Sequence, residues 1–143
     1  MPSPELIQRV WEYLDERRLL TCHQHVVGPQ YVDVSVRADV VQIPKAKPEE
    51  LLPKMMDRLA DFFDPIRGGP DHGGWPFGRP VLVSEVHQVI EETPGVDHVN
   101  WLTVSKLAGA KGEMESSQRI DLERDELVWF DRTQAVVRLR VLR

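Results

Sequence analysis

His23 and His25 stand two residues apart in the stretch "TCHQHVV", directly after Cys22. Imidazoles and thiolates are the groups a zinc ion takes, so this pair could supply half of a tetrahedral site. A full site needs three or four such groups converging. His72, His87 and His98 are scattered along the chain, and neither HExxH nor paired CxxC occurs. A thiol nucleophile is the second possibility, because an imidazole placed beside a cysteine lowers its pKa. If 21–27 is a strand, however, Cys22 and His23 point to opposite faces. Cys22 then reads as a small core-type residue. Ser35 has none of the glycines of a nucleophile elbow around it. The carboxylate pairs Glu49 and Glu50, Glu91 and Glu92, and Asp61 and Asp64 fall on helix ends or helix faces, where charge is usually just solvated.

The glycine-rich stretch "GGPDHGGWPFGRP" at 68–80 is not a phosphate cradle. It lacks the GK[ST] ending and does not follow a strand. It reads as a rigid turn between two helices, with Asp71 and His72 as loop-shaping or contact residues. Trp75 and Phe77 either anchor a protein contact, as loop aromatics often do, or pin the loop onto its own core. The candidate interface residues are therefore Trp75, Phe77, Arg79 and, on the first helix, Trp11. No catalytic residue, metal ligand or cofactor-binding residue is expected.

These residues need elements to hold them. Residues 4–19 have Leu6, Ile7, Val10, Trp11 and Leu14 at helical spacing, with Ser3 to cap and Pro4 at the first helical position. Residues 21–27 read as a strand that Gly28 and Pro29 interrupt. "YVDVSVRADVVQI" alternates with period two and predicts a half-buried strand ended by Pro44. Residues 48–64 carry a broad apolar stripe and an awkward interior Pro53, which starts the helix late or bends it. Ser84 is placed to cap a third helix that Pro94 and Gly95 stop. Strands are expected at 96–107, 127–130 and 135–142, with 109–126 a polar loop. The order gives an α+β fold: a two-layer α/β sandwich with a mixed, mostly antiparallel sheet and helices on one face.

Size and charge narrow the function classes. The chain has 143 residues and a net charge of −5, which fits one domain over 1–143 and argues against a nucleic-acid partner. Arg138, Arg140 and Arg143 cluster at the end, but strand alternation accounts for them. A single cysteine excludes an intrachain disulfide framework. No signal-type apolar run opens the chain, and no stretch approaches the roughly 18 apolar residues of a membrane span. Synthesis in the cytoplasm with no membrane partner is the expectation.

The strand pair around "VVGPQYVDVSVRADV", the helix near "PEELLPKMMDRLADFFDPIRGG" and the string "GWPFGRPVLVSEVHQVIEETPGVDHV" together resemble the C-terminal region of baseplate J-like proteins. More narrowly, they resemble the baseplate assembly proteins of contractile phage tails and contractile injection systems. The resemblance runs from about Val10 to Leu107, and the "GWPFGR…SEV…PGVDHV" string is its most specific part. "ELVWF" with a β-rich tail also fits; the acidic stretch 109–126 departs from the pattern. The resemblance implies a structural protein of virion assembly, not an enzyme. It implies protein–protein interaction with other baseplate wedge subunits and with hub and sheath-initiator proteins, homo-oligomer formation, and a final place in the baseplate of a phage-tail-like particle. Family members are usually longer, which leaves open a short paralogue, one piece of a split protein, or a fragment. Two alternatives stand beside it: a small metal- or Cys/His-dependent hydrolase using the first strand, and a stand-alone adaptor that binds a peptide along a sheet edge.

Overall fold

The computed structural model describes residues 2–107, 113–116 and 118–141. The chain divides into two compact units, Met1–Gln30 and Tyr31–Arg143, where the sequence reads as one domain.

The first unit holds helix α1 (Pro4–Asp15). Ser3 caps it as expected, its Oγ accepting from the Leu6 N–H at 3.2 Å. The helix ends four residues before the expected limit. Below it, 21–27 is not a strand. A strand needs a neighbour to take up its backbone groups, and among the described residues this segment has none. It is tied by side chains instead: Gln24 Nε2 donates to the Trp11 carbonyl at 3.1 Å, and the Arg18 guanidinium donates to the Cys22 carbonyl at 3.1 Å.

The second unit is the α+β sandwich. In chain order it contains β1 (Gln30–Gln42), α2 (Pro48–Phe62), β2 (Val81–Leu82), α3 (Val83–Glu91), β3 (Val96–Leu107), β4 (Glu113–Ser116), β5 (Arg119–Ile120), β6 (Glu126–Phe130) and β7 (Val136–Val141). The long valine-rich strand β1 is central. Antiparallel β3 lies on one side of it, with antiparallel β4 beyond. On its other side lie β6 and a parallel β7. The short pair β2–β5 forms a separate antiparallel ladder.

Alternation along β1 decides which face is dry. Val34, Val36, Ala38 and Val40 are fully buried, and the core they join includes Leu51, Met55 and Leu59 of α2 and Val86 and Ile90 of α3. Burying each such aliphatic side chain contributes about 1.5–3 kcal/mol. Both helices of this unit thus cover one sheet face. On β3 the partners are Val104 opposite Val36 and Leu102 opposite Ala38. Asn100 is then an extra residue: Asp39 faces Trp101, but Val40 faces Val99. This bulge reverses the in–out sense of β3 on either side of it.

Two further expectations shift. Ser84 does not cap α3; Leu82 holds the cap position with no side-chain bond, because the chain enters the helix directly from β2. The Val83 N–H donates to the Gln118 carbonyl at 3.0 Å instead. The stretch 109–126 is not simply a polar loop: it carries β4 and β5, and β6 begins at Glu126. A polar edge strand satisfies its backbone through one neighbour and leaves its other side to water, so polarity does not exclude pairing. Met1, residues 108–112 and 117, Leu142, where the expected last strand ends, and Arg143 lie outside the described residues.

Candidate functional site

The glycine loop folds into a self-bonded plug. Asp64 starts it, its carboxylate accepting from the N–H groups of Ile66 at 2.7 Å and Arg67 at 2.8 Å. Those bonds, Arg67 first, hold the Asp64 pKa below the usual carboxylate value. Backbone bonds then close it: Gly69 N–H to the Phe62 carbonyl at 2.7 Å, Gly74 N–H to Gly68 at 3.0 Å and Trp75 N–H to Pro65 at 3.2 Å. Gly74 takes a φ of +96° inside this ring, where a side chain would be strained.

Gly68 is needed for space. A Cβ there would stand 2.4 Å from the Phe62 carbonyl oxygen and 2.6 Å from those of Asp61 and Asp64. None of these backbone atoms can swing away. Gly68→Ala is expected to cost about 1–3 kcal/mol by overpacking, read as a lower urea midpoint with an unchanged slope.

The plug's stopper is Trp75, which is 3% exposed. Its ring meets Phe62 edge-on at 5.5 Å and Phe63 at 5.8 Å, and its indole N–H donates to the Arg79 carbonyl at 3.1 Å. Arg79 is turned inward too. Its guanidinium grips the Glu85 carboxylate at 2.6 and 3.0 Å, a bidentate pair, and lies 5.1 Å from the Trp75 ring centre. Trp75 is therefore a core residue and not a contact residue, and Arg79 is committed to fastening the loop onto α3. Of the loop's interface candidates Phe77 alone projects outward, at 59% exposed. Trp11, on α1 of the first unit, is also exposed.

Between this loop, α2 and α3 lies a cleft of about 440 Å³, lined among others by Arg58, Asp61, His72, Gln88 and Glu92. Several of its polar groups are tied to one another. Arg58 donates to the Glu92 carbonyl at 3.0 Å and lies 3.6 Å from its carboxylate, and Gln88 donates to that carboxylate at 2.7 Å. Glu85 is held by Arg79.

The histidines do not converge. His23 and His25 sit on the irregular segment of the first unit, near an exposed Cys22. His87 faces Glu91 at 3.4 Å, and His98 faces Asp97 at 2.6 Å. Among the described residues no three His, Cys, Asp or Glu side chains gather as a metal site. The Asp97 hydrogen bond raises the His98 pKa above the ordinary histidine value, against an opposing desolvation. A raised folded-state pKa means that the contribution of this pair is complete below the ordinary histidine pKa and is lost as pH rises through that of His98. An NMR titration should place the His98 midpoint above that of a free histidine, and Asp97→Asn should lower it.

Two features escape a reading of single residues. The sheet face turned away from α2 and α3 carries exposed Tyr31, Trp101 and Trp129, with Tyr31 and Trp129 edge-to-face at 6.0 Å. Period-two alternation puts these aromatics in register with polar neighbours, which is the signal that could have found them. The second is Lys106, buried on the core face beside Val34 in a 2.7 Å ion pair with Glu126. No protein-family model matches the chain, and no curated protein is found to be similar to it.

Proposed function

We propose that this chain is a structural subunit of the baseplate wedge of a contractile phage tail or contractile injection system, acting through protein–protein contacts and not by catalysis. One observation carries the reading. Five of the residues that make the sequence resemble baseplate J-like proteins have architectural positions in this fold. In "GWPFGR", Trp75 is the buried stopper and Arg79 is the clamp; in "SEV", Glu85 is the clamp's acceptor and Val86 is core; in "PGVDHV", Gly95 makes the turn into β3 at a φ of +110°. Residues of that kind specify a shape, and a wedge subunit works by presenting a fixed shape to its neighbours.

The neighbours in this reading are other wedge subunits, the hub, the sheath initiator and further copies of the chain. The exposed aromatics Phe77, Tyr31, Trp101 and Trp129 supply the kind of surface such contacts use. The chain is made in the cytoplasm and built into the particle there. Deleting its gene from the producing cell tests this. Electron microscopy of the lysate should show no complete baseplates and few sheathed tubes. Normal particles would overturn the reading, as would stoichiometric zinc in the purified protein that is lost on changing His23 or His25.

A further inference from the structure

Strand β4 pairs only with Val104–Leu107 of β3, so the earlier part of β3 has no strand along its outer edge among the described residues. Helix α3 packs on β3. Between them lies an open groove of about 640 Å³. Val83 and Leu102, both buried, give it an apolar base. The rest of its lining is Trp101, Ser84, His87, Asn100 and Gln118, and none of these carries a fixed charge.

The fold places each of them. Trp101 and Asn100 lie at the bulge of β3, where Asn100 is the extra residue. Bulges re-aim side chains and recur beside binding sites. The Asn100 amide donates to the Asp39 carboxylate at 3.4 Å, which orients it. Trp101 is 46% exposed, so much of its ring is offered to solvent. Ser84 and His87 are three residues apart on α3 and share a face. The chain enters α3 from β2 with no side-chain cap, so the Ser84 hydroxyl is not spent on the helix terminus. The His87 Nδ1 faces Glu91 at 3.4 Å, which leaves Nε2 as the other polar atom of the ring. The Gln118 carbonyl accepts from the Val83 N–H at 3.0 Å and pins that residue at the groove.

This set suits one ligand chemistry. A phosphate or carboxylate is held by cations, and the lining has no fixed one. A wholly apolar ligand would strand the hydroxyl, amide and imidazole. A sugar ring matches both halves. Its C–H face can lie on the electron-rich face of an indole. Its hydroxyls donate and accept, as a serine hydroxyl, a primary amide and a neutral imidazole do between them. We propose that the groove between α3 and the bulge of β3 binds a neutral saccharide, with Trp101 as the stacking plate and Ser84, His87 and Asn100 as partners for its hydroxyls. The inference goes beyond the baseplate reading and does not rest on it: a sugar-binding chain absent from any tail would refute that reading and leave this one standing.

NMR titration tests it, with trisaccharides of glucose, N-acetylglucosamine, mannose and galactose as probes and the indole N–H signals as the readout. The series runs to about 10 mM, enough to fill a millimolar site. At least one sugar should shift the Trp101 signal and leave that of buried Trp75 in place. Trp101→Ala should weaken binding about tenfold or more, and Trp101→Phe, a smaller plate, should lose less. Ser84→Ala and His87→Ala should each cost about fivefold, as for one lost neutral hydrogen bond. Trp129→Ala removes a different exposed indole and should bind like wild type. Circular dichroism checks that each variant is folded. No shift with any of the four sugars, undiminished binding by folded Trp101→Ala, an equal loss in Trp129→Ala, or a response confined to sulfated or carboxylated sugars would overturn the proposal.

Discussion

Trp75→Ala is expected to lower the unfolding free energy by about 3–5 kcal/mol, the cost of emptying a buried aromatic site. Phe77→Ala, two residues away, is expected to stay within about 0.5 kcal/mol of wild type. The contrast follows from position. Trp75 is packed against Phe62 and Phe63, and Phe63 in turn stacks on Phe130 of β6 at 5.4 Å. Removing the indole therefore loosens the joint between α2, the loop and the sheet. Phe77 is mostly in water and loses little. Trp75→Phe should fall between the two: most of the ring contact survives, and the bond to the Arg79 carbonyl, worth about 1 kcal/mol, does not. Urea unfolding of the three variants checks the order. Domains of this size are stable by about 5–15 kcal/mol, so the alanine at 75 removes a large share and could leave the chain partly unfolded at 37 °C. Equal losses at 75 and 77 would contradict the packing described.

The second large effect is at Lys106. Its ammonium donates to the Glu126 carboxylate at 2.7 Å and to the Asp121 carbonyl at 3.1 Å, and Glu126 also accepts from the Glu123 N–H at 2.7 Å. The side chains are 8% and 14% exposed, so water screens the pair little. Lys106→Met removes the counter-ion of a largely buried carboxylate and is expected to cost about 3–5 kcal/mol. Changing both, as in K106M/E126L, removes the uncompensated charge and should recover part of that loss, because an apolar pair of similar volume is often neutral relative to a buried ion pair, while the Asp121 carbonyl and Glu123 N–H lose the bonds they make to the pair. Thermal unfolding of the two singles and the double gives the coupling directly. If the double is no better than the worse single, the pair is not the reason for the loss.

The elements with clean periodicity were legible. β1 and β3 are found within a residue or so of where alternation puts them, because a strand with one dry face must alternate. Helices α2 and α3 follow from their apolar stripes, and the α+β sandwich follows from the order of these elements. Other parts were not legible, for identifiable reasons. The segment 21–27 reads as a strand but has no neighbour among the described residues to pair with, and pairing is a property of the whole sheet. β4 is polar, and only its register with β3 makes it a strand. Lys106 is a polar residue whose side is fixed only by register: beyond the bulge at Asn100 it pairs with Val34 and faces the core. The site candidates parted for the same kind of reason. Trp75 and Phe77 lie in a loop with no period to assign their faces. The loop's own hydrogen bonds and the positive φ of Gly74 turn one ring in and leave the other out. Trp11 and Phe77 are exposed as the interface reading requires, whereas Trp75 and Arg79 belong to the scaffold that presents Phe77.

Contractile particles purified from the producing cells can be dissociated into baseplate and sheath–tube fractions and quantified by mass spectrometry. The account predicts that this chain is present in the baseplate fraction at a fixed ratio to the other wedge subunits and depleted from the sheath–tube fraction. Its absence from purified particles, with the protein abundant in the same cells, would contradict the account.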